Sequence, residues 1–117
     1  MAAMLARLAR ISPMAGIDYG RVREIVSMAD VLRLAGYEPA ETLGDQLRGP
    51  CPIHGSTSPD SRSLSINLRK HAFQCFKCGA TGNQLDLWMA IAKLPLHAAA
   101  KDLCERLGHE VPGIRRR

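Results

Sequence analysis

Aromatic residues are scarce in this chain: two phenylalanines, two tyrosines and one tryptophan make up 4% of its 117 residues. A core must therefore be built mainly from aliphatic and alanine side chains, and we expect it to be modest. No apolar run approaches the roughly 20 residues that a membrane-spanning helix needs. The four cysteines do not form the pattern of a secreted disulfide framework. We therefore expect a soluble, cytoplasmic protein with no membrane partner.

Acidic residues are nearly absent from the middle of the chain. Residues 48–82 contain five basic side chains and one acid, Asp60. By contrast, residues 1–47 carry five arginines against six acids, and residues 83–117 carry six basic and four acidic groups. The formal net charge of +5 is therefore concentrated in one segment. Such a basic segment is typical of proteins that bind polyanions, of which nucleic acid is the commonest.

The basic segment also holds two short motifs of metal-binding residues. Cys51 and His54 form C-x2-H, Cys75 and Cys78 form C-x2-C, and twenty residues separate the pairs. Thiolate and imidazole at this spacing are ligands of tetrahedral Zn²⁺. Four protein ligands close the coordination shell and no acid lies inside either motif, so we predict one structural Zn²⁺ rather than a catalytic ion. Three other histidines lack a partner at metal spacing and are interpreted as exposed polar residues: His71, His97 and His109.

Apolar residues recur at helical spacing on both sides of the basic segment. A helix is predicted over residues 17–39, divided near Ser27–Asp30, where either of these two residues can cap its second part. Two more helices are predicted after the basic segment, one from an N-cap at Asn83 and one from Leu96 to Leu107.

Within the basic segment the sequence predicts a small antiparallel sheet. Residues 63–68 alternate polar and apolar side chains, as a half-buried strand does. Residues 69–71 would form a hairpin tip, residues 72–74 the returning strand, and residues around 46–48 a further short strand. We therefore predict an α+β fold in which the metal site caps a small antiparallel β-sheet with flanking helices.

Basic and aromatic side chains near the metal motifs are candidates for contact with nucleic acid. Single-stranded nucleic acid needs cations for its phosphates and flat rings on which bases stack. Phe73 and Phe76 are either such platforms or part of the sheet core, whereas Trp88 and Cys104 are expected in the core. The predicted nucleic-acid-binding residues are Arg48, Arg62, Arg69, Lys70, Phe73, Phe76 and Lys77.

Four stretches have a recognisable order and spacing: CPIH at 51–54, SLSI at 63–66, HAFQCFKCGATGNQLDLWM at 71–89 and KDLCERLG at 101–108. Together they resemble the N-terminal zinc-binding domain of DnaG-type bacterial and phage primases. The resemblance implies a zinc ribbon that binds single-stranded DNA template and helps to place the start of an RNA primer. It also implies that the zinc ligands are Cys51, His54, Cys75 and Cys78.

The sequence departs from this family pattern in two places. The loop after the first motif is longer, and Ser61, Arg62, Ser63 and Leu64 stand where the family has Thr-Pro-Ser-Phe. Lys77 stands where glycine is common, which adds a positive charge beside the metal site.

We expect three parts: a flexible leader at 1–17, a primase-type zinc-binding domain at 18–108 and a basic tail at 109–117. These residues are expected to hold no polymerase domain, so the chain on its own is not expected to be an enzyme. The predicted function is binding of single-stranded DNA in replication, together with a separate primase polymerase subunit or a helicase. The alternative is an interaction module of a plasmid or mobile element that docks on such a partner through the helix face around Leu85, Trp88 and Ile91.

Overall fold

The computed structural model describes residues 16–54, 58 and 60–113, and within them four helices flank a five-stranded antiparallel sheet. Most of the predicted leader and the three terminal arginines lie outside the described residues. The predicted α+β fold, a small antiparallel sheet with flanking helices, is confirmed. The helices are α1 (Tyr19–Ile25), α2 (Met28–Ala35), α3 (Gln84–Ala92) and α4 (Leu96–Arg106). The strands, adjacent in chain order, are β1 (Glu41–Leu43), β2 (Gln46–Gly49), β3 (Leu64–Asn67), β4 (Ala72–Cys75) and β5 (Thr81–Asn83).

Two capping boxes fix where α2 and α3 begin. The Ser27 hydroxyl accepts a hydrogen bond from the backbone N–H of Asp30, and the Asp30 carboxylate accepts one from the backbone N–H of Ser27. Asn83 and Asp86 make the same reciprocal pair at the start of α3. Each box satisfies two backbone donors that a helix start leaves unpaired. The predicted break between α1 and α2 and the predicted N-cap at Asn83 are therefore confirmed.

Two strands were not predicted from the sequence. β1 is exposed at all three positions and shows no alternation of buried and exposed residues. β5 consists of Thr81, Gly82 and Asn83, of which only Thr81 is a strand former, while glycine and asparagine are typical of turns. Gly82 has a φ of +154°, and a Cβ there would clash with the Asp86 carboxylate. Gly82 and Asn83 are therefore the residues that the N-terminal cap of α3 requires. They belong to a strand because they pair with β4.

The sheet has one buried and one exposed side because its residues alternate. The core face, which packs into the hydrophobic core, carries Leu47, Leu64, Ile66 and Phe73, all at most 7% exposed. Paired rows on the opposite side, which we call the open face, place Arg48 beside Ser65 and Gln46 beside Asn67. The open face also continues to Gln74, Thr81 and Phe76.

The two ends of the described region contact each other through residues that include some outside the predicted domain bounds of 18–108. Ile17 is 6% exposed and forms an isolated bridge with Gly113. The backbone N–H of Asp18 donates to the Pro112 carbonyl at 2.9 Å. The packed part of the described chain therefore includes residues that the sequence assigned to the leader and the tail.

Among the described residues, none of the helices is long and apolar enough to cross a membrane.

Candidate metal centre and nucleic-acid interface

Strand register brings the two metal-binding motifs to the same end of the sheet. Gly49, Leu64 and Cys75 form one row across β2, β3 and β4. Cys51 lies two residues beyond Gly49, and Cys78 follows Cys75 in the turn between β4 and β5. The twenty residues between the motifs thus contain β3, the strand that separates β2 from β4.

The four candidate ligands converge to the dimensions of one zinc site. Their ligand atoms all lie within 4.8 Å of one another. Cys51 Sγ lies 4.0 Å from Cys78 Sγ, and His54 Nδ1 lies 3.6 Å from Cys75 Sγ. Zn–S and Zn–N bonds of about 2.3 and 2.0 Å in a tetrahedron imply edges of about 3.5–3.8 Å. The observed separations fit a single Zn²⁺ with a closed Cys3His shell.

Each motif contributes one buried and one exposed ligand. Cys51 and Cys75 are 0% and 1% exposed, whereas His54 and Cys78 are exposed. The buried pair fixes the ion against the core, while the exposed pair leaves a route by which it can enter. The site is therefore an integral part of the fold rather than a surface attachment.

Burial and backbone donors act in opposite directions on the two buried thiols. Burial raises the pKa of Cys51 to about 11 despite hydrogen bonds from the backbone of His54 and Ile53. Burial also acts to raise the pKa of Cys75, but the backbone N–H groups of Cys78 and Lys77 outweigh it and lower that pKa to about 6. Of these two buried thiols, Cys75 is the more readily deprotonated, and metal binding must displace a proton from Cys51.

A buried tyrosine hydroxyl packs against the backbone leading to Cys51. Among the described residues, Tyr37 has the only buried side-chain oxygen or nitrogen without a hydrogen-bond partner. Burial, and secondarily the Cys51 charge, raises the pKa of Tyr37 to about 12. A Cβ at Gly49 would clash with this hydroxyl and lie 3.1 Å from both Ala40 N and Pro39 Cα. The close approach explains why β2 ends in glycine.

Next to the metal centre, the open face carries an exposed aromatic ring among cations. Phe76 is 61% exposed, and the Arg48 guanidinium lies 5.2 Å from its ring centroid. Arg48 Nη2 also donates to the Arg62 carbonyl at 2.6 Å. Arg62 pairs with Glu41 at 3.2 Å, with both side chains 54% exposed. A surface pair of this kind contributes about 0–1 kcal/mol, so it holds the Arg62 side chain only weakly.

The other predicted contact residues fall in different places. Lys77 is exposed in the second metal motif, beside Phe76. Arg69 and Lys70 are exposed at the hairpin tip, at the opposite end of the open face. Phe73 is 4% exposed on the core face, so no base can stack on its ring. Of the two phenylalanines, only Phe76 has an exposed ring.

His71 contradicts the sequence interpretation of an exposed polar residue. It is half-buried at the hairpin tip with a φ of +51°, and its Nδ1 accepts the backbone N–H of Met28 at 3.0 Å. That N–H belongs to the first residue of α2. The hairpin tip is therefore joined to a helix start, a contact across 43 residues that no local sequence signal indicates.

Gln84 is a second structural residue that sequence reasoning missed. It is 2% exposed, and its Nε2 donates to the carbonyls of Arg23 and Val26 at 3.0 and 2.9 Å. These carbonyls lie at the end of α1, where helix acceptors lack internal partners. Gln84 thus links the start of α3 to the end of α1.

The helix face proposed for docking on another protein is largely inside the core. Leu85 is 2% and Trp88 5% exposed, and Ile91 packs against the core cluster. Trp88 Nε1 donates to Asp102 on α4 at 2.9 Å. Cys104 is buried as predicted. This face already serves the packing of α3 on α4, so it offers no exposed docking surface.

Comparison with known proteins identifies the family that shares this sheet and its four metal ligands. The family model described as "CHC2 zinc finger" matches residues 18–116. The DNA primase of Treponema pallidum is 33% identical over 99 residues, covering 84% of this chain and 16% of that protein. The DNA primase of Geobacillus stearothermophilus is 36% identical over 87 residues, covering 74% and 14%. The chain thus spans about one sixth of the length of these relatives.

A solved structure agrees with the fold. The Aquifex aeolicus primase, in a structure of its zinc-binding and RNA polymerase domains, matches with a TM-score of 0.64 and 26% identity. The match covers 82% of this chain and 23% of that one. Family, fold and ligand geometry all lead to the same assignment. The chain belongs to the CHC2 zinc finger family, and it is a zinc ribbon of the DnaG type with one structural Zn²⁺.

Proposed function

We propose that this zinc ribbon binds single-stranded DNA template on its open face and takes part in primer synthesis. The observation that carries the proposal is the exposed Phe76 ring beside Arg48, Arg62 and Lys77 at the metal end of the sheet. An aromatic platform among cations suits a single strand, because every base has a flat face and every phosphate a charge.

In this proposal the metal positions the binding residues and takes no part in chemistry. The Zn²⁺ ligands are Cys51, His54, Cys75 and Cys78, and this closed shell leaves no position for a substrate. Phe76 and Lys77 lie between the two cysteines of the second motif. The ion therefore fixes the turn that presents the platform and its neighbouring charge.

The test is a titration of a labelled single-stranded oligonucleotide with zinc-loaded protein, followed by fluorescence anisotropy. Affinity should fall with salt, with a log-log slope of about 0.7 per phosphate neutralised. Phe76→Ala should weaken binding about tenfold, since stacking contributes about 1–3 kcal/mol per base. The matched control is Leu96→Ala, which removes another exposed apolar side chain, on α4. No binding at low salt, or equal affinities for the two variants, would contradict the proposal.

Nucleotide joining is assigned in this proposal to a partner, a primase polymerase subunit acting with a helicase. The similarity to the zinc-binding parts of DNA primases supports this choice. A DnaG-type polymerase domain without its zinc ribbon should gain template-directed primer synthesis when the zinc-loaded chain is added. The Phe76→Ala chain should restore less synthesis than the wild type, and an unstimulated polymerase domain would count against this partnership.

A further inference from the structure

A second polar feature lies on the open face, at the end away from the metal. A cavity of about 280 Å³ is lined by residues from two turns and the strands beside them, namely Asp45, Gln46, Asn67, Arg69 and Lys70. Gln46 and Asn67 face each other across β2 and β3 and form its floor. We call this cavity the tip pocket.

The tip pocket holds charged side chains that are not paired with any other described residue. Among the described residues, neither Arg69 nor Lys70 forms an ion pair, and all acid–base pairs found lie elsewhere. The Asp45 carboxylate accepts no hydrogen bond within the described part of the chain, although its backbone carbonyl accepts one from Leu68. Two cations and one carboxylate thus face the same cavity without a partner in the part of the chain that the structure describes.

The side-chain amides of Gln46 and Asn67, which form the floor of the tip pocket, use only part of their hydrogen-bonding capacity. Gln46 Nε2 donates to the Ser65 hydroxyl at 2.6 Å, which leaves its carbonyl oxygen as an acceptor. Asn67 Oδ1 accepts the backbone N–H of Lys70 at 2.9 Å, which leaves its NH₂ group as a donor. These bonds hold both side chains in place. Oriented amides and a carboxylate are the groups that read base edges, whereas cations bind phosphates.

We propose that the tip pocket takes one nucleotide of the bound strand and selects a base that carries an exocyclic amino group. The Asp45 carboxylate accepts the amino proton, while Arg69 and Lys70 hold the adjoining phosphate. Thymine, which has no amino group, is disfavoured because it leaves the carboxylate facing a carbonyl oxygen. This inference rests on the proposed binding of single-stranded DNA and adds a preference among bases to it.

The position of the tip pocket suits a strand that also reaches Phe76. The row of Gln46 and Asn67 lies four residues along β3 from the row of Ser63 and Phe76, which is about 13 Å. One end of the open face therefore presents a stacking surface without base preference, and the other presents hydrogen-bonding groups. A single strand crossing the sheet would meet both.

The test compares a short all-thymine strand with the same strand carrying one central cytosine, at constant salt. Wild-type zinc-loaded protein should bind the cytosine-containing strand about tenfold more tightly, in the range of one good base contact. Asp45→Ala, which removes the acceptor, should abolish this preference, because it removes both the contact with the amino group and the repulsion of the thymine carbonyl. Glu105→Ala, which removes an exposed carboxylate on α4, is the matched control and should keep the preference.

The proposed contacts of Arg69 and Lys70 with a phosphate predict a separate effect on affinity and on its salt dependence. Arg69→Gln combined with Lys70→Gln should weaken binding of both strands by the same factor and lower the salt slope by about 0.7 for each cation–phosphate interaction that the substitutions remove. Lys101→Gln, on the exposed side of α4, should change neither quantity.

Three outcomes would overturn the inference, and they differ from failure of the proposed function. Equal binding of both strands by wild-type protein would refute base selection while leaving strand binding intact. A uniform rise in affinity of Asp45→Ala for both strands would show that Asp45 merely repels phosphates. Retention of the cytosine preference in Asp45→Ala would assign the selection to another residue. Absence of binding to either strand would instead reject the proposed function itself.

Discussion

The two faces of the sheet are made by alternate residues of the same short strands, yet they have opposite properties. On β4, Phe73 is 4% exposed on the core face, while Gln74 and then Phe76, just past the strand end, are exposed on the open face. On β2, Leu47 is buried and Arg48 faces the other way. One face thus supplies hydrophobic stabilisation, and the other carries the polar, charged and exposed aromatic groups that we propose contact a single strand.

This difference gives the similar side chains Phe73 and Phe76 separate roles. Burying an aromatic side chain stabilises the fold, so its removal costs stability. An exposed ring contributes little to folding and is free to stack on a base. Substitutions on the core face should therefore change stability, whereas those on the open face should change binding. The metal centre is the exception, because it supports both faces at once.

Removal of the metal should have the largest effect and abolish the difference between the faces. Structural zinc contributes on the order of 10 kcal/mol to folding in small domains. Chelation at neutral pH should therefore collapse the amide NMR signals of β2, β3 and β4. The same chelator already saturated with Zn²⁺ is the control, and an unchanged spectrum after metal removal would contradict a structural role for the ion.

Truncating one phenylalanine on each face tests the comparison directly. Phe73→Ala should lower the free energy of unfolding by about 3–5 kcal/mol, because it leaves a cavity in the core. Phe76→Ala should change it by less than about 0.5 kcal/mol, as surface substitutions usually do. Denaturant unfolding of the zinc-loaded proteins measures both values. Similar losses for the two variants would mean that the faces are not energetically distinct.

Gly49 tests the close packing of β2 against Tyr37 and the backbone at Pro39 and Ala40. Gly49→Ala should cost about 1–3 kcal/mol, since its Cβ would press on the Tyr37 hydroxyl and the Ala40 backbone. Adding Tyr37→Phe should recover part of this loss by removing the hydroxyl. Gly20→Ala, in α1 where the nearest atom lies 3.5 Å away, is the control and should be neutral or stabilising. Equal effects of the two alanine substitutions would remove the steric explanation.

His71 is expected to give the smallest of these effects. His71→Ala removes the acceptor of the Met28 backbone N–H and should cost about 1 kcal/mol in unfolding free energy. His97→Ala, an exposed histidine at the start of α4, is the control and should cost almost nothing. A loss for His71→Ala no greater than that of the control would show that the hairpin tip is not held to α2 by this bond.

Local signals predicted much of the fold. Caps at Ser27 and Asn83 and the alternation in residues 63–68 each depend on neighbours within a few positions, and the structure has them. β1 and β5 were missed because each is three residues long and shows no alternation of buried and exposed residues; pairing with β2 and β4 makes them strands. His71 and Gln84 were missed because their partners lie 43 to 61 residues away.

The sequence by itself determined the metal-binding motifs, the basic character of residues 48–82 and the α+β fold class, because these depend on residue type and short spacing. Only the tertiary structure decided which phenylalanine is exposed, since strand register sends Phe73 inward and Phe76 outward. It also brought the turn at Asp45 to the hairpin tip at Arg69 and Lys70, forming the tip pocket. Pairing between distant strands sets those positions, and no local pattern carries that information.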